Sequence, residues 1–391
     1  MLTRTGIAVL VVGACAVVAG LYAGFPELCA LGAACMVPVL VARVRSRRPP
    51  QLAVSRLLSP DRVQVGEPAT SLLSIRNDSS QRTRRIAATE TIAGDEVTVH
   101  VPALAPGEIA PPLSLELPTH RRGLHPVGPL RFGRPDPFGF TRSVETYGAA
   151  SLLTVHPRLH RLDPLGAGRA RDLDGPTSDL AREGGVAFHG LRTYVPGDDV
   201  RLIDWRATAR SATTDLYIRQ HVETVRPDVD VLVHTAADGY TGDAFDLAME
   251  VAASIVASSL GAMHPVRLRS TATDDADLAA AIAGQLDGLQ LGPLLDALAA
   301  MQPCSSASLP DAVTRLGGSS EPGHSLVLIT GDVDDSELAE ATEATTRYGR
   351  VIAIRCTGRD RSAGLAQLGR VSVLTVSDGH HFADQWNGQL A

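Results

Sequence analysis

The sequence predicts a multidomain protein in three parts: an N-terminal transmembrane helical hairpin, an all-β sandwich and a C-terminal α/β domain of Rossmann type. Three observations predict this order. An uncharged apolar stretch opens the chain, short alternating runs separated by turn residues fill 51–158, and strand-like and helix-like segments alternate over 227–391. With 391 residues, 44% of them hydrophobic, the chain is long enough for two or three domains with sizeable cores.

Two apolar segments within residues 1–48, at 7–25 and 28–44, predict the helical hairpin. At about 1.5 Å per residue, the first nearly spans a hydrocarbon core of ~30 Å. We expect a turn at 24–27 and a kink at Pro38 in the second segment. A cleaved signal peptide is the alternative for the first segment.

An arginine cluster follows the second segment directly. By the positive-inside tendency, this cluster predicts a multi-pass cell-membrane protein with residues 49–391 in the cytoplasm. The cluster consists of Arg43, Arg45, Arg47 and Arg48.

All the basic residues are arginine, and their distribution is uneven. Residues 1–226 carry 27 Arg against 21 Asp and Glu, whereas residues 227–391 carry 9 Arg against 22. Phosphate would be repelled by such an acidic C-terminal part, so we expect no nucleic-acid partner. The arginine excess beside the apolar segments suits anionic membrane lipids. The five cysteines have no disulfide or zinc spacing, which fits a reducing compartment.

Residues 51–158 alternate between apolar and polar side chains in short runs such as RVQVG and EVTVHVPAL. Turn residues punctuate these runs, for example at Asn77 and Asp78. Period-2 alternation with frequent turns predicts an antiparallel, immunoglobulin-like sandwich. Because no nucleophile or ligand cluster lies in this stretch, we interpret it as a structural or interaction module.

Charged residues are densest within 184–210, in the segment 159–226 that we expect to link the sandwich to the α/β domain. Guanidinium and carboxylate groups at this density can form a network of bidentate pairs. Asp204 is expected to cap a short helix beginning at Trp205. The candidate signature or binding residues are Arg192, Tyr194, Pro196, Gly197, Asp198, Asp199, Arg201, Asp204, Trp205 and Arg210.

Three interpretations of this charged segment remain open. The pairs hold the segment against its neighbouring domain, or part of the network faces a groove and binds a partner or phosphate. A catalytic interpretation would use His189 and Asp204 as a general base, but no serine or cysteine stands nearby as an evident nucleophile. We therefore predict no catalytic residue and no enzyme activity.

The string GLRTYVPGDDVRLIDWRATAR, residues 190–210, resembles the signature of the bacterial domain-of-unknown-function 58 family. The flanking RRGLHPVGPLRFGRPDPFGF and DLYIRQHVETVRPDVDVLV are similar to that family in order and spacing. The resemblance implies two N-terminal membrane helices, a strand-rich domain and a degenerate von Willebrand factor type A-like domain at 227–391. Members are often encoded beside MoxR-type AAA+ ATPases, which implies such an ATPase as a partner.

The type A fold often binds a divalent metal through a DxSxS motif after its first strand. At the matching positions this chain has His234, Ala236 and Asp238, so the leading acid and the first serine are missing. Asp332 matches a later acid, and Asp238 and Asp332 remain the only weak metal candidates. Hard cations need several converging oxygen ligands, so we expect no metal and no cofactor.

The sequence therefore predicts a membrane-anchored, non-enzymatic scaffold or adaptor. Its cytoplasmic type A-like domain would dock partner proteins, including a MoxR-type AAA+ ATPase, in envelope or complex assembly. Two alternatives stay open: a hydrolase that uses the Asp/Arg-rich signature, and a metal-dependent protein-binding type A domain.

Overall fold

The computed structural model of the chain divides into two compact units. One comprises Met1–Arg158 with Leu295–Met301, and the other Leu159–Leu294 with Gln302–Ala391. The structure describes residues 3–46, 51–135, 140, 142–165, 186–195, 198, 200–210, 215–223, 228–271, 290–304, 308–317, 325–343, 345–346, 348–358 and 364–390.

The first unit begins with two apolar helices, α1 (Arg4–Ala23) and α2 (Pro26–Ser46). Gly24 ends α1 in the left-handed conformation at φ 75°, which glycine adopts without steric penalty. Pro26 belongs to α2 rather than to the turn predicted at 24–27. A helix begins readily at proline because its first residue needs no N–H. The second helix continues through Pro38, and the two helices are longer than the sequence segments predicted for them.

Glycines bring α1 and α2 close together. A Cβ atom added to Gly32 would lie 2.6 Å from the carbonyl oxygen of Gly13, so the two backbones nearly touch there. The larger apolar side chains face outward, as Val12 at 65% and Leu21 at 73% exposure illustrate. A hairpin with a glycine interior and an aliphatic exterior suits anchoring in a membrane.

Nine strands of the described residues complete the first unit and form two sheets. One sheet has the order β1-β3-β6, and the other β2-β9-β7-β4-β5, with β8 also paired to β7. The strands are β1 (Leu52–Ser59), β2 (Arg62–Gln64), β3 (Thr70–Asn77), β4 (Ile86–Ile92), β5 (Asp95–Val101), β6 (Leu113–Glu116), β7 (Gly123–Pro135), β8 (Arg142–Tyr147) and β9 (Ser151–His156).

Side chains from both sheets pack into one shared core, so this β-rich part consists of two sheets packed face to face. Leu73 and Ile75 of one sheet pack in a cluster with Leu130 and Phe132 of the other, and all four are at most 2% exposed. A buried ion pair also joins the sheets, since Arg56 of β1 donates to Glu90 of β4. Burial raises the pKa of the Glu90 carboxyl, and Arg56 opposes that shift.

The part of the second unit that the structure describes contains eight strands in two sheets. An antiparallel ribbon consists of β10 and β11, and a six-stranded sheet has the order β13-β12-β14-β15-β17-β16. The strands are β10 (Val186–Thr193), β11 (Tyr217–Glu223), β12 (Val229–Val233), β13 (Val266–Ser270), β14 (Ser325–Thr330), β15 (Arg350–Cys356), β16 (Gly364–Leu368) and β17 (Val371–Val376).

Five strands of the large sheet are parallel, and the edge strand β16, which the sequence did not predict, is antiparallel. The strand order reverses between β12 and β14, the point at which doubly wound sheets open a crevice. The described helices that follow α2 in the chain are α3 (Trp205–Arg210), α4 (Ala244–Gly261), α5 (Leu291–Ala300), α6 (Leu309–Gly317), α7 (Asp335–Glu343) and α8 (Gly379–Gln389). From Leu295 onward, α5 belongs to the first unit, and the other five belong to the second. Residues of α6 and α7 share a core cluster with one sheet face.

Three of the described helices are long and apolar enough to cross a membrane: α1, α2 and α4. Their surroundings separate them, because 61% of the apolar window of α4 is buried within its own unit against 17% for each of the other two. Thus α4 is a core helix of the α/β sheet. The two N-terminal helices remain as the membrane anchor that the described part of the chain offers.

Residues 159–165 pack with the second unit, although the sequence predicted a linker from 159 to 226. The indole N–H of Trp386 donates to the Asp163 carbonyl at 2.9 Å, and the Ser254 hydroxyl accepts from the His160 N–H at 2.9 Å. Leu165 is 2% exposed. Because these contacts join residues about ninety or more positions apart, local sequence patterns do not contain them.

Candidate functional site

The signature residues lie at the end of the β10–β11 ribbon. Its two strands pair antiparallel, with Thr193 opposite Tyr217. The chain between them leaves and re-enters the ribbon through close backbone contacts, since the Tyr194 N–H donates to the Leu216 carbonyl at 2.7 Å. We call the segment 194–210 the hairpin tip.

An arginine–aspartate pair closes the first turn of the hairpin tip. Arg192 donates to both carboxylate oxygens of Asp198 at 2.7 Å, a bidentate geometry. The Val195 N–H adds a third bond to the same carboxylate at 2.9 Å. These donors, Arg192 foremost, lower the pKa of Asp198 to about 2, so the carboxylate is ionised at neutral pH.

Asp204 caps the short helix α3, as the sequence predicted. Its Oδ1 accepts from the N–H groups of Arg206 and Ala207, both at 3.0 Å. The same residue is held to the ribbon, because its own N–H donates to the Tyr217 carbonyl at 2.8 Å. The Thr208 hydroxyl accepts from the Tyr217 N–H at 3.0 Å, a contact that sequence reasoning missed. Two contacts therefore fix α3 on the first residue of β11.

The outer side of the hairpin tip is apolar and basic. Trp205 is 66% exposed, and Val195 and Val200 are 57% and 59% exposed. Beneath them, Ile203 bridges to Ile218 and both are buried. The exposed cations of the tip are Arg201, Arg206 and Arg210.

Seven of the ten candidate residues fall within the described part of the chain, and the structure brings them together on the hairpin tip. Pro196, Gly197 and Asp199 lie outside the described residues. His189 is placed on β10, and its side chain is likewise outside the description. Asp204 uses one carboxylate oxygen as a helix cap, and the pairing of Asp204 with His189 falls outside the described residues.

The carboxyl end of the large sheet was the second candidate site. Asp238 and Asp332 are both exposed on loops that meet through their backbones, where the Asp332 N–H donates to the Gly239 carbonyl at 2.6 Å. A Cβ atom at Gly331 would lie 1.9 Å from that same carbonyl oxygen, so the contact requires glycine. Within the described ranges, no group of three or more His, Cys, Asp or Glu is placed to hold a metal ion.

Tyr240 follows β12 and lies against Gly331, which follows β14, so it stands where the strand order reverses. Sequence reasoning missed this residue. Its hydroxyl donates to the carbonyl of His234, and its ring packs edge-on against Phe245 with centroids 5.0 Å apart. Burial raises the pKa of the Tyr240 hydroxyl well above its ordinary value. Thr235, Thr271 and Cys304 form a neighbouring cluster, with the two threonine hydroxyls 3.1 Å apart.

These features define a class of protein: two apolar helices suited to membrane anchoring, a β-rich part, and an α/β unit with a two-stranded ribbon that carries an exposed tryptophan. Residues 190–384 match the family described as "Protein of unknown function DUF58", and the chain belongs to that family. The match starts in β10 and ends in α8, so it covers the hairpin tip and confirms the resemblance seen in the signature string.

Two solved structures are similar to parts of the chain. The CARDB domain of a Pyrococcus furiosus protein, solved with di-metal ions, is 18% identical and has a TM-score of 0.21, covering 27% of this chain and 93% of that one. The ApaA protein of Bordetella pertussis is 19% identical with a TM-score of 0.20, covering 28% and 96%. Both are too distant to support a functional assignment. No curated protein sequence matches the chain.

Proposed function

We propose that the chain is a membrane-anchored, non-enzymatic scaffold that docks partner proteins through the hairpin tip. The observation that carries this proposal is the 66% exposure of Trp205 on a helix that is itself tied down. Val195 and Val200 of the same tip are exposed as well, and exposed apolar surface with a polar rim is typical of protein interaction sites. Tryptophan and arginine are also the residues most enriched at energetic hot spots of protein interfaces.

The rigidity of the hairpin tip supports a docking role. Helix α3 is capped by Asp204 and bonded to Tyr217 at two points, so its position changes little when a partner binds. A preorganised surface loses less conformational entropy on association than a flexible loop does. The internal bonds of Asp198 and Asp204 also leave Arg206 and Arg210 as exposed cations of the tip.

The remaining assignments form part of the same proposal. The hairpin α1–α2 crosses the cell membrane twice, and the arginine cluster that begins in the last turn of α2 keeps residues 49–391 in the cytoplasm. The β-rich part is an immunoglobulin-like spacer, and the α/β unit is a von Willebrand factor type A-like docking module without a bound cation. Among partners, a MoxR-type AAA+ ATPase is the one that family resemblance suggests.

The alternatives are a hydrolase using the charged signature and a metal-dependent type A domain. The carboxylates of Asp198 and Asp204 already hold structural bonds, which favours docking over acid–base catalysis. Asp238 and Asp332 point to the second alternative only by sequence position. No described contact favours either alternative over the docking role.

The experiment is affinity capture of the full-length chain from membranes, comparing the wild type with Trp205→Ala. The matched control is Leu365→Ala, which removes another exposed apolar side chain (42% exposed) from the same unit. We expect a specific partner, such as an AAA+ ATPase, to be retained by the wild type and the control and lost from Trp205→Ala. Equal retention by all three proteins would contradict the proposal.

A further inference from the structure

Exposed charges of opposite sign occupy two separate places in the second unit. The hairpin tip presents Arg206 and Arg210 four residues apart, beside Trp205. Far along the chain, residues 316–346 contain seven Asp and Glu and no arginine. The two places lie in one compact unit, and Trp205 remains 66% exposed there, so they do not cover each other within a single chain.

Helix α7 carries part of this acidic run on its outer surface. Glu340 and Glu343, three residues apart, are both exposed, as is Asp334 just before the helix. Residues three or four apart on a helix have neighbouring side chains, so Arg206 with Arg210 and Glu340 with Glu343 form charge pairs of similar spacing. Such matched spacing allows two cations to meet two carboxylates in one contact.

We propose that the occupant of the hairpin tip is the acidic α/β unit of a second copy of this chain, with Trp205, Arg206 and Arg210 of one copy seated against α7 of the next. This inference rests on the proposed docking function and names its partner. The contact joins two different surfaces, so it is heterologous and leaves a free tip at one end and a free acidic face at the other.

Membrane anchoring makes such a contact geometrically consistent. All anchored copies have their α/β units on the same side of the bilayer, and rotation about the membrane normal preserves this. A heterologous contact related by such a rotation closes into a ring or continues as a row. Confinement to the membrane also raises the effective concentration of the copies, so that a modest contact suffices.

The test is self-association of the full-length chain in vesicles of zwitterionic phosphatidylcholine, measured by energy transfer between donor-labelled and acceptor-labelled copies. Two charge-reversed variants are compared with the wild type: Arg206→Glu/Arg210→Glu at the tip and Glu340→Arg/Glu343→Arg on α7. A matched control reverses the exposed Arg370 to Glu, a residue that belongs to neither the hairpin tip nor α7. Thermal unfolding of every variant is recorded to establish that it is folded.

We expect each reversed variant alone to associate about tenfold more weakly than the wild type, and the control to associate normally. Copies that all carry Arg206→Glu/Arg210→Glu do not associate with one another, because their reversed tips and their unchanged α7 faces are both acidic. A mixture of the two reversed variants restores energy transfer, because the reversed tip of one meets the reversed face of the other. Association of the wild type weakens as salt is raised.

Wild-type energy transfer no greater than that of an unrelated membrane protein at equal density would overturn the inference. So would normal association of both reversed variants, or a folded mixture that fails to recover. None of these results touches the docking function itself, since loss of a different captured partner from Trp205→Ala would still support it.

Discussion

At the scale of single residues, the carboxylates of the signature act through backbone groups. Asp204 accepts two N–H groups at the start of α3, and Asp198 accepts one from Val195 besides the guanidinium of Arg192. Both residues therefore shape the hairpin tip, while Trp205 and the exposed arginines form its outer surface. Substitutions of the two groups of residues should differ in their effects.

Replacing Asp204 by alanine should loosen α3, whereas Asp204→Asn should not. Asparagine caps a helix about as well as aspartate, but loss of a cap costs about 1 kcal/mol. We expect amide hydrogen exchange in the peptide 205–210 to accelerate about fivefold in Asp204→Ala and to stay near the wild-type rate in Asp204→Asn. Equal exchange rates in both variants would contradict the capping role.

The first turn of the tip should be sensitive only to strong acid. The folded-state pKa of Asp198, about 2, lies below its ordinary value of 3.8, so its contribution is complete above 3.8 and is lost as pH falls toward 2. We expect NMR titration of the side-chain carboxyl groups to show a signal with this low pKa in the wild type. The same signal should be missing from Asp198→Asn. In Arg192→Gln the pKa should rise toward 3.8, and an unchanged value would refute the pairing.

At the scale of elements, glycine determines how closely the two N-terminal helices approach. In lipid, helix association relies on close packing rather than on burial of apolar surface from water. The contact of Gly13 with Gly32 leaves no room for a side chain at either position. Residues one position away on the same helix face outward instead, which provides a matched control.

Gly32→Leu should separate α1 from α2, whereas Ala33→Leu, at an exposed neighbouring position, should not. The Cys29 thiol lies 3.6 Å from the Val17 carbonyl oxygen, so a cysteine introduced at Val17 reports the helix spacing by cross-linking to Cys29. We expect the cross-linking yield to fall in the Gly32→Leu background only. A fall of equal size in the Ala33→Leu background would argue against glycine-mediated packing.

At the scale of the whole molecule, anchoring and charge act together. The two apolar helices suit anchoring of the chain in a membrane, and the acidic excess belongs to the C-terminal part, where 227–391 carries 9 Arg against 22 Asp and Glu. The arginine cluster between the hairpin and the β-rich part predicts which side of the membrane those units occupy.

We predict that the turn of the hairpin is outside the cell and residues 49–391 are inside. In a cysteine-free chain, a cysteine at Phe25, which is 60% exposed in that turn, should react with a membrane-impermeant maleimide in intact cells. A cysteine at Leu365 should react only after permeabilisation. The reverse labelling pattern would place residues 49–391 outside the cell and would exclude a cytoplasmic ATPase as their partner.

Local patterns in the sequence determined the two apolar helices, the alternation of strands and helices in the α/β unit, and the cap at Asp204. Each follows from residues close together in the chain: an uncharged run, a hydrophobic period, or a capping side chain before a helix. The signature string likewise predicted the family to which the chain belongs. Pro196, Gly197 and Asp199 lie outside the described residues, so the roles predicted for them stay predictions.

Only the tertiary structure decided the contacts that depend on register and packing between distant segments. The buried pair Arg56–Glu90 joins residues 34 positions apart, and Tyr240, which follows β12, lies against Gly331, which follows β14. Exposure belongs to the same category. A sequence records that Trp205 is apolar, but whether an indole lies in a core or in water depends on which surfaces the folded chain brings against it, and here it lies in water.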